Sequence, residues 1–581
     1  MTSTRKSFGH KGINLQHQGP LEAMGEAIEK SLDPLGVTTS MLNAQLSWLS
    51  HPLELARVLH GLSGDIMALQ THVMRRAMGM PSEDVVLPHE DDARFSDPVW
   101  SESATWDIVK EYYLAFTHRL MDMYFETPGL SDRERRRAAF WLRKWLNLVA
   151  PTNFFWSNPV AMRKFVESHG ESASKGFENY LRDVRAGSVQ MVEPDAFTVG
   201  KDLATTPRNV VFRNRMLELI QYSPTTEMVR EVPIVIITPW INKFYILDLT
   251  SKKSMIKYLV DQGFTVFITS WKNPEDSMSE VTYEDYLSEG ITPAIEAARQ
   301  ICKVPQVHAA GYCIGGITLS AWMAWANRHY GSPDKVPVAH WTAFTTLVDF
   351  SKPGDIEVFV DEESVSWIEQ SMAKKGFLDG KEMATAFRML RSNSLIWHYV
   401  VHSYLYGEAL PPFDVLFWNA DTTRMPQAMH VYYLREMYLN NNLIKKDALN
   451  LCGEPIDLGK IVQPLYAVAA EDDHIAPWKQ CFRIHKYIQG PVRFALSTSG
   501  HILGIVNPPV HPPKRSFWVG EPERGETAEQ WQNRLESKPG TWWEDWVRWL
   551  VPQSGPLVKP PVGGKKFAPL APAPGTYVSE N

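Results

Sequence analysis

The chain has few cysteines, little excess of either charge and no long apolar run. Its four cysteines in 581 residues, Cys302, Cys313, Cys452 and Cys481, are too few and too scattered for a disulfide framework or a paired C-x-x-C metal site. Such usage suits a reducing cytosol, where Cys313 stays a free thiol. A net charge of −7, without a basic block, argues against a nucleic-acid partner. The longest apolar runs, such as Val232–Ile241, fall well short of the roughly 20 residues that cross a bilayer. The opening MTSTRKSFGHKG is too polar for a secretory leader. With 44% hydrophobic and 22% charged residues, the composition is that of a globular protein long enough for two domains.

Periodicity divides the chain. Up to about residue 200 the apolar spacing of three and four predicts helices, over Met41–Met78, Trp106–Phe125 and Arg135–Leu148, with breaks at Pro151, Pro159 and Pro207. From Val210 the texture changes to short β-rich runs separated by helices. Val232–Thr238, Thr265–Ser270, Gln306–Tyr312, Val338–Leu347, Leu465–Ala470 and Val492–Leu496 read as buried parallel strands, with Lys252–Gln262 and Tyr283–Ile301 as crossover helices. Between about 350 and 455 the strand rhythm gives way to a helical, aromatic insertion. From about 555 the tail is rich in proline and glycine and is expected to be extended or mobile. The expectation is an all-helical region, 1–205, followed by an α/β-hydrolase domain, 206–581, with a cap at 350–455.

The most informative stretch is Gly311-Tyr312-Cys313-Ile314-Gly315-Gly316, which follows an apolar strand and precedes a helical pattern starting near Ile317. Strand, sharp turn and helix, with glycines two residues either side of a nucleophile, make the nucleophile elbow of α/β-hydrolases. Here the nucleophile is cysteine, which points to acyl chemistry through a thioester. Downstream, in hydrolase order, come an acid in Glu471-Asp472-Asp473-His474 and a histidine in Ser499-Gly500-His501. Both follow the C-terminal ends of strands, where α/β sheets place their sites. The chemistry needs a base beside the thiol and a carboxylate to orient it, roles that fall to His501 and Asp473. Sequence alone separates Asp473 from its neighbour Asp472 poorly. The oxyanion-hole donors are expected to be the backbone N–H of Ile314 and that of Ile241, after Val232–Thr238.

Other features read more plainly. Cys302, Cys452 and Cys481 are expected to be inert buried thiols, His308 and His402 structural, and His474 a supporting or surface residue. The tryptophans in Trp542-Trp543-Glu544-Asp545-Trp546 are expected to be a packing face on a terminal helix.

Ordered motifs spanning nearly the whole chain resemble those of class I polyhydroxyalkanoate synthases. They include Asn153-Phe154 with Asn158-Pro159, Pro239-Trp240-Ile241-Asn242-Lys243, Tyr245-Ile246-Leu247-Asp248-Leu249, and the lipase-like box at Cys313. The cap segment Trp418-Asn419-Ala420-Asp421-Thr422-Thr423-Arg424-Met425-Pro426 matches the family's W-N-x-D-x-T-x-x-P. Asp473-His474-Ile475, Ser499-Gly500-His501-Ile502 and the tail Ala571–Val578 complete the series. The resemblance implies a cytoplasmic enzyme at the granule surface that polymerises (R)-3-hydroxyacyl-CoA, chiefly 3-hydroxybutyryl-CoA, releasing CoA and needing no metal or other cofactor. Family register selects Asp473 over Asp472. With His501, it is assigned to activating the 3-hydroxyl for elongation. Leu503, where short-chain members often carry a smaller residue, becomes a candidate for shaping the acyl pocket. A homodimer through the cap and granule-coat partners for the N-terminal region are also implied. The alternatives from other classes are a cysteine-nucleophile thioesterase or polyester hydrolase, and a non-catalytic granule-binding protein.

Overall fold

The computed structural model describes residues 33, 35–89 and 92–580; the polar opening at Met1 lies outside them. The helical first region comprises Val37–Ser50, Pro52–Ala77, Ala104–Phe125, Asp132–Leu148, Pro159–Glu167 and Glu171–Ala186. The run expected over Met41–Met78 is thus two helices. Pro52 has no N–H to continue the first one, and His51 before it leaves the helical region at φ −123°, ψ 68°. Pro159, expected as a break, opens a helix instead: its missing N–H is harmless in the first turn, and Asn158 caps the N–H groups of Val160 and Ala161.

Among the described residues, eleven strands form one sheet. In chain order they are β1 (Arg208–Arg213), β2 (Leu217–Tyr222), β3 (Ile234–Ile237), β4 (Val266–Trp271), β5 (Val307–Tyr312), β6 (Val338–Phe344), β7 (Leu465–Ala470), β8 (Val492–Ser497), β9 (Ser516–Gly520), β10 (Lys538–Pro539) and β11 (Ala571–Pro572). Their spatial order is β10-β9-β8-β7-β6-β5-β3-β4-β2-β1-β11. The centre, from β8 to β4, is parallel; both flanks are antiparallel. The central strands β3, β4, β5 and β7 are buried along their whole length, as expected of strands covered by helices on both faces.

The terminal helix Trp542–Leu550 packs on one face with Trp542, Trp543 and Trp546 fully buried. Their indole N–H groups donate to the Gly504 carbonyl (2.9 Å), the Ile505 carbonyl (2.9 Å) and Thr342 Oγ1 (3.0 Å). Two of those acceptors lie just past His501, so the tryptophan face also fixes the loop that carries this histidine.

The tail after 555 is extended but tied down along its length. Leu557–Val558 pairs with Val229–Arg230, β11 closes the sheet edge on β1, and Glu218 accepts from Thr576 and Tyr577. Lys243 donates to the Glu580 carbonyl at 2.7 Å.

The cap rises between β6 and β7 and is clamped from two sides. Against the sheet, Asn242 Nδ2 donates to the carbonyls of Trp418 (3.4 Å), Asn419 (3.3 Å) and Asp421 (3.3 Å), while Tyr245 donates to Asp421 (2.8 Å). Against the first region, Arg136 and Arg143 of Asp132–Leu148 pair with Glu357 (3.1 Å) and Asp355 (3.7 Å). Phe140 and Trp141 pack there on Phe359 and Leu390. Trp542→Ala empties a fully buried site and breaks a hydrogen bond. It should lower stability by about 3–5 kcal/mol, seen as an earlier urea midpoint at unchanged slope.

Candidate active site

Cys313 sits between β5 and the helix Ile314–His329 at φ 52°, ψ −123°, a conformation side chains rarely adopt. Close packing imposes it. A Cβ on Gly315 would lie 2.5 Å from the Ile237 carbonyl oxygen and 2.7 Å from that of Thr238. One on Gly311 would lie 2.5 Å from the Gly316 Cα, and one on Gly316 2.0 Å from Thr346 Oγ1. Only glycine lets the helix start this near the strands. The helix therefore begins at Ile314, earlier than the glycine-rich sequence suggests.

His501 Nδ1 and Asp473 Oδ2 are 2.6 Å apart, and Asp473 Oδ1 accepts from the N–H groups of Ile475 and Ala476, both at 2.8 Å. Asp473 is buried, whereas Asp472 is exposed. Cys313 also lies close enough to the ring to act on its pKa. The His501 ring lies over Tyr312 at 5.7 Å, and Tyr312 donates to the His501 carbonyl at 3.3 Å. The three residues named from the sequence thus gather at one site.

The electrostatics distinguish the two histidines. Burial alone disfavours the imidazolium of His501, but Asp473 and then Cys313 outweigh it and raise its pKa to about 10. His474, by contrast, is pushed down to about 4 by burial and by Arg391, and it is Asp473's hydrogen bond to His501 that marks the latter as the paired imidazole. Burial pushes the thiols of Cys302 and Cys452 up to about 12 and about 11, and that of Cys481 well above the usual range, which keeps all three protonated. His308, pushed down to about 3 by burial, is hydrogen-bonded to Ser554 at 3.0 Å.

Ile314 and Ile241 carry the two amides expected from the sequence to face an oxyanion. Ile314 is the first helical residue, so its N–H has no carbonyl one turn earlier. Thr423 of the cap takes up the carbonyls of Trp240, through its hydroxyl, and Ile241, through its N–H. In a trans peptide the C=O and N–H point opposite ways, so the Ile241 N–H faces away from Thr423. Leu503 packs, half-buried, on the same cluster as Cys313, and its carbonyl accepts from Arg515.

Sequence reasoning did not single out Tyr312, Tyr433 or Tyr438. Burial raises all three hydroxyls, and the nearby charge of Cys313 adds to each. Tyr433 ends a cap helix and Tyr438 lies in the π-helical turn Leu434–Leu439 that follows. Aromatic residues in a long insertion carry no local mark of their target; the π-turn, often seen at functional sites, appears only in the fold. Away from the site, Asp84, Asp107 and Glu111 gather as a metal site would. Lys110 Nζ lies 3.0, 3.1 and 3.5 Å from their oxygens, so the chain supplies its own cation there.

An α/β-hydrolase fold with a cysteine elbow and an intact acid and histidine defines the class, and a model of the alpha/beta hydrolase fold matches residues 233–508. A model of the N-terminus of poly-beta-hydroxybutyrate polymerase (PhaC) matches residues 91–259. The poly(3-hydroxyalkanoate) polymerase of Methylorubrum extorquens is 40% identical, over 98% of this chain and 91% of its own. The poly(3-hydroxyalkanoate) polymerase subunits PhaC of Rhizobium etli and Cupriavidus necator are each 37% identical, over 96% and 84% of this chain and 88% and 83% of their own. The chain belongs to the poly(3-hydroxyalkanoate) polymerase family. It is an acyltransferase-type enzyme of polyhydroxyalkanoate synthesis, and the hydrolase alternative is not favoured.

Because the folded pKa of His501 lies above its ordinary 6.5, its contribution to stability is complete below that pH and is lost as the pH rises through about 10. Asp473→Asn removes the largest raising influence. The His501 titration, followed by NMR of histidine-labelled protein, should move down from about 10 toward or below the ordinary imidazole value.

Proposed function

We propose that the chain polymerises (R)-3-hydroxyacyl-CoA, chiefly 3-hydroxybutyryl-CoA, with Cys313 as the covalent acyl carrier. The observation that supports this best is the gathering of Cys313, His501 and Asp473, with Asp473 Oδ2 2.6 Å from His501 Nδ1 and the imidazole pKa raised. A charged imidazole favours the thiolate, the nucleophilic form. Cys313 Sγ attacks the thioester carbonyl, and the amides of Ile314 and Ile241 hold the developing oxyanion. The bond from the carbonyl carbon to the CoA sulfur breaks, and the leaving thiolate takes the His501 proton. One thioester replaces another, so the intermediate is not a thermodynamic trap.

His501 is now neutral and can accept a proton. The 3-hydroxyl of another unit gives up its proton to His501 and attacks the acyl carbon. The bond to Cys313 breaks, an oxygen ester forms, and the thiolate–imidazolium pair is restored. Asp473 serves both halves by holding the ring and balancing its charge. The cycle balances without a metal or organic cofactor. Leu503, packed on the same apolar cluster as Cys313, is the candidate for shaping the room left for the acyl side chain.

The granule-surface reading has support in the first region. Leu42, Leu46 and Leu49 follow one another at helical spacing on Val37–Ser50 and are 47%, 54% and 69% exposed, Leu53 at the start of the next helix is 78% exposed, and Trp156, farther along the chain, is 82% exposed. Such a row suits association with an apolar polyester surface, a coat protein or a second copy of the chain. No described helix is long and apolar enough to cross a membrane. A cytoplasmic enzyme resting on the polymer fits this surface.

Incubation with 3-hydroxybutyryl-CoA should release CoA and deposit insoluble polymer together. Cys313→Ala should abolish both while keeping the fold; substantial polymerisation by that variant would exclude Cys313 as the carrier. Asp473→Asn should slow steady-state elongation far more than the first equivalent of CoA release, measured by a rapid thiol assay, and Asp472→Asn should do little. An exchange of these two effects would overturn the assignment of the acid.

A further inference from the structure

The loop 239–243, which carries Ile241, is gripped from two directions. It leaves β3 at Thr238, whose carbonyl oxygen a Cβ on Gly315 would meet at 2.7 Å, so it starts against the first turn of the helix that follows Cys313. From the cap, Thr423 holds the carbonyls of Trp240 and Ile241, and the Trp418 indole donates to the Lys243 carbonyl at 2.7 Å. From the other direction comes one side chain. Lys243 is 3% exposed, and its ammonium donates to the Glu580 carbonyl of the tail at 2.7 Å.

That contact is an unusual use of a lysine. Its acceptor is a neutral carbonyl, and among the described residues no carboxylate forms an ion pair with it. Burial lowers the Lys243 pKa, and the charges of Asp421 and Glu580 offset only part of the effect. An apolar chain of the same length would fill the slot without the cost of desolvating a charge. What the ammonium adds is direction, because it joins the loop to one point of the tail. That point is itself held. Asn273 Nδ2 donates to the same Glu580 carbonyl at 3.4 Å, while Asn273 Oδ1 accepts from the Arg424 N–H of the cap at 2.9 Å. Just upstream Val578 is buried, and the Tyr577 hydroxyl donates to the Asn214 carbonyl at 2.7 Å.

We propose that Lys243 is a positioning residue for the reaction: by tying its loop to the tail at Glu580, it sets the Ile241 amide where the thioester oxyanion forms. The tail thereby belongs to the scaffold of the site. The proposal rests on the part given to Ile241 in the cycle above. An oxyanion donor works only at hydrogen-bond distance from the oxygen as its charge develops, so loosening one end of the loop weakens the transition state more than the binding of substrate.

Lys243→Met keeps the length of the side chain and removes the donor. With saturating 3-hydroxybutyryl-CoA, release of the first equivalent of CoA should slow about tenfold while KM stays near that of the parent, the mark of an interaction felt in the transition state. The urea midpoint should stay or rise, since a buried charge has gone, which separates lost positioning from lost folding. The chain stopped after Val578, without residues 579–581, should slow the same step to a similar degree. Combining the two changes should add little, because both cut one contact. Lys272→Met removes a charge 5.8 Å from the Tyr577 ring of the tail without touching the loop, and should match the parent. An unchanged first turnover in Lys243→Met would overturn the proposal, as would a loss confined to KM, or losses that multiply in the combined variant. The first turnover and KM of Lys243→Met decide the question even where the shortened chain folds poorly. If the parent enzyme itself released CoA without forming polymer, the polymerisation reading would fail, while the Lys243 result, read on CoA release alone, would stand; the two failures are therefore separable.

Discussion

The site depends on the absence of Cβ atoms at Gly311, Gly315 and Gly316. With them missing, the helix Ile314–His329 starts in van der Waals contact with the end of β3, its first turn against the Ile237 and Thr238 carbonyls. That contact forces Cys313 into its φ 52° conformation and presents the sulfur at the head of the sheet. In the proposed cycle one steric constraint thus sets the nucleophile and the first amide of the helix, and the remaining elements serve to place a base and a roof around it.

The base is placed from the far end of the chain. Buried indoles of Trp542 and Trp543 hold the carbonyls of Gly504 and Ile505, and so hold the turn that begins at His501. Asp473, fixed by two backbone N–H groups, then orients the ring and keeps it charged. The roof is placed by sequence-distant clamps: Asn242 on three cap carbonyls, and the arginines of Asp132–Leu148 on Asp355 and Glu357. Both the first region and the C-terminal tail therefore bear on the geometry at Cys313 without touching it. A reactive thioester benefits from such enclosure, which limits the access of water.

Much of this was legible in the sequence, and what was not has a physical reason. The six parallel strands lie where continuous apolar runs predict them, because strands covered on both faces must be apolar throughout; Leu465–Ala470 matches to the residue. The flanking strands escaped notice. β11 is the dipeptide Ala571–Pro572, and what makes it a strand is Val210, some 360 residues earlier. The same limit applies to the tail, whose proline-rich composition suggests freedom while its contacts with Glu218 and Lys243 remove it. Cys313, Asp473 and His501 were readable because elbow, acid and histidine each follow a recognisable strand. Tyr433 and Tyr438 were not, since nothing local distinguishes them from other cap aromatics.

The central claim is that the thiol at the elbow, and no other, carries the acyl group. Peptide mass spectrometry after acid quenching of a reaction with 3-hydroxybutyryl-CoA tests it directly. The account predicts a thioester-linked hydroxyacyl adduct on the peptide containing Cys313, released by neutral hydroxylamine, with the peptides of Cys302, Cys452 and Cys481 unmodified. An adduct on any of those three, or polymer formation while Cys313 stays unmodified at every quench time, would contradict it.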